Sequence, residues 1–347
     1  MSVPATQKQW VIEASGKEFE TLVFQESAPV PQVGDDQVLV RFRGASLNFR
    51  DLLIAKGKYP FPLRLPVVAG SDGAGEIVAV GRNVTRWKAG DRVVTLFNQG
   101  HQRGPVTPAA AQTGLGGCID GTLRQYGALS QDGLARAPKH LGFVEAATLS
   151  CAALTSWNAL FGLRPVRKGE SVLVQGTGGV SLFALQFAKA AGAAVIATTS
   201  SPAKAEVLRK LGADHVINYK TDPKWGETAR ALTPDGEGVH HVIEVGGEGT
   251  LTQSLAAVRM EGVISIIGLL TGANPKDSFM ETLARVCTVR GVYVGSREQL
   301  EEMVAFMEEH EIRPVVDERV FTLEETKEAY EYMWAAKHFG KIGIKID

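Results

Sequence analysis

The stretch that most constrains this chain is Ser171 to Thr199, SVLVQGTGGVSLFALQFAKAAGAAVIATT. Ser171 to Gln175 is a short apolar run of strand type, and Gly176-Thr177-Gly178-Gly179 is a tight turn. Val180, Phe183, Ala184, Phe187 and Ala188 then recur with the spacing of one helix face. Gly192 ends that helix, and Ala194 to Thr198 reads as a second buried strand. A strand-helix-strand unit of about 30 residues belongs in a parallel sheet covered by helices. Glycines at 178 and 179 let the backbone bend and approach a pyrophosphate, whose charge is favoured by the free N–H groups and macrodipole of the helix N-terminus. The turn therefore reads as a dinucleotide site. The third glycine of the usual pattern is Ser181 here, so an ordinary strand-to-helix turn is the plainer alternative.

An acid at the end of the second strand would bind a ribose 2′-hydroxyl and repel a 2′-phosphate. This strand instead runs into Thr199-Ser200-Ser201-Pro202 and then Lys204, placing hydroxyls and a cation where a carboxylate would favour NAD. The expected cofactor is NADP(H). The same residues also suit a helix start, serine capping and proline in the first turn, and the two readings are compatible.

A chain of 347 residues is long enough for two cores. A net charge of −1 gives no electrostatic case for nucleic acid or an anionic membrane. The three cysteines, Cys118, Cys151 and Cys287, are far apart and odd in number, which implies no disulfide framework and suits a reducing compartment. No apolar run has the length of a membrane span and the N-terminus lacks a signal-peptide core, so the expected location is cytoplasmic.

Taken in order, the chain begins with strands around Trp10 to Ile12, Leu22 to Phe24 and Val38 to Phe42. A short helix from Asn48 to Ile54 follows, then glycine-turned strands at Glu76 to Val80 and Arg92 to Leu96. Asn98 to Gly121 lacks periodicity and reads as a long surface loop. An alanine-rich helical stretch from Phe143 to Leu160 leads to the dinucleotide unit, after which strands and helices alternate as in a doubly wound parallel sheet. From Arg290 the reading is a strand at Val292 to Val294, an amphipathic helix from Arg297 to Glu309, another from Leu323 to Trp334 and a closing strand from Lys341 to Ile346. The expected division is 1–147, 148–290 and a C-terminal segment, 291–347, that rejoins the first domain.

With these pieces placed, the chain resembles the medium-chain dehydrogenase/reductase superfamily, in its zinc-independent, quinone-oxidoreductase-like branch. The resemblance rests on Asn48-Phe49-Arg50-Asp51, Gly70 to Gly75, Val80-Gly81, Gly90-Asp91-Arg92-Val93, Leu154-Thr155-Ser156-Trp157, Gly178-Gly179-Val180 and Phe339-Gly340-Lys341. It implies an α/β architecture, a GroES-like β domain plus a Rossmann sheet, with the active site in the cleft between them. Zinc-dependent members hold their catalytic metal with a cysteine, a histidine and a second cysteine. Here the first position is Asn48, the Gly-His-Glu element reads Gly70-Ser71-Asp72, and Cys151 alone keeps its ligand type. One thiolate does not hold a zinc that takes three protein ligands and a water, so no metal is expected.

The resemblance further implies that Ser200, Lys204 and Tyr219 contact the 2′-phosphate, and that Thr177, Gly178, Gly179 and Val180 meet the pyrophosphate. Val245, Gly246, Ile267 and Leu269 would border the cofactor after later strands. Asn48 and Thr155 would flank the nicotinamide, with Phe339 and Lys341 closing over it. Relatives often carry a tyrosine five residues after the asparagine; here it is Leu53, leaving Asp51 and Tyr59 as candidate proton donors beside Asn48. The implied activity is hydride transfer from NADPH to a quinone or α,β-unsaturated carbonyl, in a homodimer paired through edge strands near Val292 to Val294. Two alternatives stand beside it: an NAD(H)-linked or zinc-type alcohol dehydrogenase of the same fold, and a cofactor-binding, crystallin-like protein with little turnover.

Overall fold

The computed structural model describes residues 3–268 and 279–347. The chain divides into two compact units, Met1–Leu154 with Gly295–Asp347, and Thr155–Val294. Among the described residues no helix is long and apolar enough to cross a membrane.

The first unit is built on eight strands: β1 (Thr6–Ile12), β2 (Leu22–Pro29), β3 (Gln37–Ser46), β4 (Val67–Val68), β5 (Asp72–Val80), β6 (Arg92–Thr95), β7 (Tyr126–Ser130) and β8 (Leu134–Arg136). The second unit supplies β9 (Ser171–Gln175), β10 (Ala194–Thr199), β11 (His215–Asn218), β12 (Val239–Glu244), β13 (Val258–Ile266) and β14 (Thr288–Gly291). The tail adds β15 (Phe321–Thr322) and β16 (Gly343–Lys345) to the first unit.

In the first unit β2, β1 and β4 form a small sheet, and the larger sheet runs β15-β16-β3-β5-β6-β8 with β7 also on β3. The centre of that sheet positions the site. Ser46 at the end of β3 is paired with Asp72 on one side and with Gly343 of β16 on the other. The chain's last strand thus lies beside residues far earlier in the sequence. Phe42, Leu47, Leu52, Ile54, Phe321 and Tyr330 are fully buried in the core beneath it. The helix Arg297–Glu309 buries Leu300, Met303, Val304 and Met307, a spacing of one helical stripe, and opens with a capping box between Ser296 and Gln299.

The second unit holds one parallel six-stranded sheet in the order β11-β10-β9-β12-β13-β14. β9 to β11 run outward in one direction and β12 to β14 in the other, so the order reverses between β9 and β12. In open α/β sheets that switch point, at the carboxyl ends of the strands, is where ligands bind.

The structure corrects three local readings. Asn98 to Gly121 is a surface loop only in part: residues 103–109 are exposed, but Asn98, Gln99, His101 and Leu115 are buried, the backbone pairs Asn98 with Gly114, and Pro108–Ala111 is a short helix. The helical stretch from Phe143 is broken into Phe143–Ala147, a π-helical turn at Leu149–Ala153, and Leu154–Phe161. A π turn inserts a residue without interrupting an alanine-rich apolar pattern, so periodicity does not register it. The strand expected at Val292 to Val294 lies earlier, as β14; Val294 has a φ of 52°, outside strand geometry.

Candidate active site

At the carboxyl ends of β9 to β13 the second unit gathers most of the residues read as cofactor contacts. Gly176 follows β9 with a φ of 73°, a left-handed conformation that a side chain would strain, and it turns the chain into the helix Gly179–Ala190. Gly178 is the exposed N-cap of that helix, and a Cβ placed there would meet no protein atom within 4 Å. The helix start is therefore open in front of its N–H groups. Ser181, at the third position of the glycine pattern, is buried and donates to the Gln175 carbonyl (2.6 Å), so it closes the turn from within. Ser156 Oγ donates to the Val180 carbonyl (2.7 Å), which brings buried Thr155 to the same turn.

The end of β10 carries Thr198 and Thr199, followed by Ser200, and no carboxylate. β11 pairs with it as far as Thr199 and Asn218, and the Tyr219 N–H then donates to the Thr199 carbonyl (3.2 Å). Tyr219 is 42% exposed. Ser201 caps the helix Pro202–Lys210, accepting the Lys204 N–H at 3.3 Å. The helix cap is thus present, one residue after Ser200 and in the same turn as Lys204. Val245 and Gly246 follow β12, and Ile267 follows β13 with its N–H on the Glu244 carbonyl (2.9 Å). Leu269 lies outside the described residues.

Two polar residues that the sequence reading did not single out hold this edge together. Gln175 ends β9 and Glu244 ends β12, both buried at the switch point. Gln175 Nε2 donates to Glu244 Oε2 (2.7 Å) and Ser254 Oγ (2.9 Å), while its Oε1 accepts the N–H groups of Val245 and Gly246 (both 3.2 Å). Glu244 Oε1 accepts from the Gly246 and Gly247 N–H groups (2.8 and 2.9 Å) and from Thr250 Oγ1 (2.5 Å). A buried carboxylate is tolerable when so many donors surround it, and the loop after β12 is fixed as a result. The available signal was a single polar residue closing each of two apolar strands, VLVQ and HVIE.

The first unit holds a second cluster. Asn48 precedes the helix Phe49–Ala55, and Asp51 Oδ2 accepts its backbone N–H (2.8 Å). The Lys341 ammonium is 3% exposed and donates to the Leu47 carbonyl (2.6 Å), Asn48 Oδ1 (2.6 Å) and Asp72 Oδ2 (3.0 Å). Ser46 Oγ donates to the same Asp72 oxygen (2.6 Å). Because an ammonium only donates, the Asn48 oxygen faces it and the amide nitrogen is turned the other way, donating to Ser71 Oγ (3.2 Å). Lys341 is placed by its neighbours: Gly340, at a φ of 75°, turns the chain against Val315, and the Lys341 N–H donates to the Val315 carbonyl (2.9 Å). Phe339 is half-buried, its N–H on Asp317 Oδ2 (2.8 Å).

Burial dominates the electrostatics here. It pushes the Asp51 carboxyl up to about 6, with Arg50 opposing. Burial, and then the Asp72 charge, pushes the Cys151 thiol up to about 12. Arg50 donates to Asp51 Oδ1 (3.3 Å) and lies over the ring of half-buried Tyr59, 5.1 Å from its centroid. Tyr59 is thereby linked to Asp51 through a guanidinium rather than directly.

The donor set does not fit a zinc ion. The ligand positions implied by the resemblance present an amide, a serine with an aspartate, and a protonated thiol; that aspartate already holds an ammonium. Among the described residues no three His, Cys, Asp or Glu side chains form a group that would hold a metal.

Residues 34–139 match the family model for the alcohol dehydrogenase GroES-like domain, and residues 179–309 match the one for zinc-binding dehydrogenase. A zinc-type alcohol dehydrogenase-like protein of Schizosaccharomyces pombe is 48% identical over 341 residues, covering 96% of this chain and 97% of its own. A solved NAD-dependent alcohol dehydrogenase is 34% identical, with a TM-score of 0.87 over 98% of this chain and 100% of that one. A crotonyl-CoA carboxylase/reductase structure has the same TM-score at 28% identity, covering 99% of this chain and 89% of its own.

Proposed function

This chain belongs to the medium-chain dehydrogenase/reductase superfamily of nicotinamide-dependent oxidoreductases, and from that premise we propose that it reduces a quinone or an α,β-unsaturated carbonyl with NADPH. The observation that carries the proposal is the end of β10: hydroxyls of Ser200 and Ser201, the Lys204 side chain on the following helix and exposed Tyr219 stand where a carboxylate would select NAD. Lys204, Ser200 and Tyr219 bind the 2′-phosphate; Thr177, Gly178, Gly179 and Val180 take the pyrophosphate; Thr155, Val245, Gly246, Ile267 and Phe339 border the rest of the cofactor. When bound, the nicotinamide supplies the hydride.

The acceptor half of the proposal rests on Asn48. Its amide nitrogen, held away from Lys341, is a fixed donor for the oxygen on which charge develops during reduction. A conjugated acceptor suits such a site, since its charge is spread and one neutral donor serves it. The resemblance to a crotonyl-CoA carboxylase/reductase supports that class of acceptor. Asp51 holds the Asn48 backbone and, with its raised pKa, carries a proton close to neutrality; Tyr59 is joined to Asp51 through the Arg50 guanidinium that lies over its ring. β14 is one of the two edges of the parallel sheet, and Met260 on β13, with Met280 and Leu283 on the helix Phe279–Arg285 that leads into β14, are 63–65% exposed. We assign that edge to a homodimer contact.

NADPH and NADH dissociation constants for the wild type and Lys204→Ala test the cofactor. The expected result is NADPH at least about tenfold tighter, with the variant erasing the gap by losing about 1.5–3 kcal/mol on the phosphate and little on NADH. If NADH binds as well as NADPH, Ser201 is only a helix cap and the NAD-linked reading, supported by the NAD-dependent structural relative, replaces this one.

A further inference from the structure

We propose that Lys341 supplies the fixed positive charge of the Asn48 site, standing in for a metal cation, and that it is a positioning residue acting through Asn48. Its role in turnover rests on the functional reading above; its role as the site's cation does not. The positions that would ligate zinc converge in this fold, but what they surround is an ammonium. It reaches Asn48 at the first ligand position and Asp72 in the Gly-Ser-Asp element, and its charge bears on Cys151 at the third. Its three N–H donors meet three oxygens, of Leu47, Asn48 and Asp72, so its capacity is fully used inside the protein and not on a nicotinamide, where the resemblance placed it.

Two consequences follow. Asp72 is 0% exposed, and its Oδ1 has no hydrogen-bond partner, so the carboxylate depends on Lys341 and Ser46 at its other oxygen for its neutralisation. Pulling on the Asn48 oxygen also polarises the amide and makes its N–H groups stronger donors, while forbidding the flipped orientation that would present the oxygen to a ligand. A zinc ion polarises an acceptor by coordinating it; here the cation polarises an amide, and the amide meets the acceptor. A divalent ion would have to displace the ammonium and would find a neutral amide and a thiol at the remaining positions.

The test compares Lys341→Met, the neutral pair Asp72→Asn/Lys341→Met, Asn48→Ala, and the neutral pair combined with Asn48→Ala. Lys341→Met alone leaves a buried unpaired carboxylate, so its melting temperature falls; the neutral pair regains most of the loss. A Lys341→Met protein that melts with the wild type overturns the charge role. In the folded neutral pair, kcat toward an enone such as 2-cyclohexen-1-one falls at least about tenfold while the NADPH dissociation constant, read from nicotinamide fluorescence, stays within about twofold. If Lys341 acts through Asn48, adding the neutral pair to Asn48→Ala lowers kcat no further. Additive losses, or an undiminished kcat in the folded neutral pair, overturn the proposal. Wild type dialysed against zinc and then buffer is expected to hold none above background; stoichiometric zinc that the Asp72→Asn/Lys341→Met protein lacks also overturns it. A wild type that binds no NADPH defeats the functional reading instead, and the melting and zinc measurements still decide whether Lys341 is the cation.

Discussion

Asp51 offers a prediction whose sign and size follow from its surroundings. The side chain is 1% exposed, and burial raises its pKa from 3.8 to about 6, with Arg50 and the Asn48 N–H opposing that shift. The folded protein therefore keeps this proton over a pH range in which the unfolded chain has released it. A carboxyl raised in this way contributes stability that is present below pH 3.8 and lost as the pH climbs through about 6. At about 1.4 kcal/mol for each tenfold change in proton affinity, the loss is about 3 kcal/mol. Asp51→Asn does not titrate, but its one carbonyl oxygen must serve both the Asn48 N–H and Arg50, which costs about 1–3 kcal/mol at every pH. The diagnostic quantity is hence the pH dependence of the difference between the two proteins, not its value at one pH. Urea unfolding of both proteins from about pH 4 to about pH 7, followed by tryptophan fluorescence, should show the variant gaining about 2 kcal/mol on the wild type across the range, the rest of the change lying below pH 4. A flat difference, or one that moves against the variant as the pH rises, would refute the claim that burial outweighs Arg50 at this carboxyl.

The edge of the parallel sheet yields two more predictions. Gln175→Leu removes two donors and an acceptor from the bridge between β9 and β12, so stability should fall by about 1–3 kcal/mol and NADPH binding should weaken along with it; thermal melting and a binding titration check this, and unchanged affinity would show that the loop after β12 needs no such brace. Met280→Asp/Leu283→Asp places charge on side chains that are each 65% exposed on the helix leading into the edge strand β14, and should convert a dimer into a monomer in sedimentation equilibrium. A wild type that already sediments as a monomer would remove the assembly from the proposal.

The division between what could and could not be read from the sequence follows the range of the interactions involved. The turn from Gln175 to Val180 was legible because a strand, a positive-φ glycine and an amphipathic helix are neighbours in sequence, and their spacing alone dictates a parallel unit. The strand order that makes the end of β9 a switch point was legible only as a class, since alternation of strands and helices says nothing of which strand lies beside which. The buried ends of the segment from Asn98 to Gly121 are not legible because they are held by backbone and glutamine amides, which have no hydrophobic period. Lys341 shows the limit most sharply. It bonds to Asn48 across 293 residues and to Asp72 across 269, and each of the three taken alone looks like an ordinary polar residue. Their meeting depends on β16 pairing with β3 at Ser46, the residue whose opposite neighbour is Asp72. That register also decides the chemistry. A slip of one residue would turn alternate side chains to the other face of the sheet and carry the ammonium away from the carboxylate, leaving a buried acid with no counter-charge. The pairing of the tail strand and the neutralisation of Asp72 therefore stabilise one another, which is why the cation of this site can be supplied by the chain's own last segment.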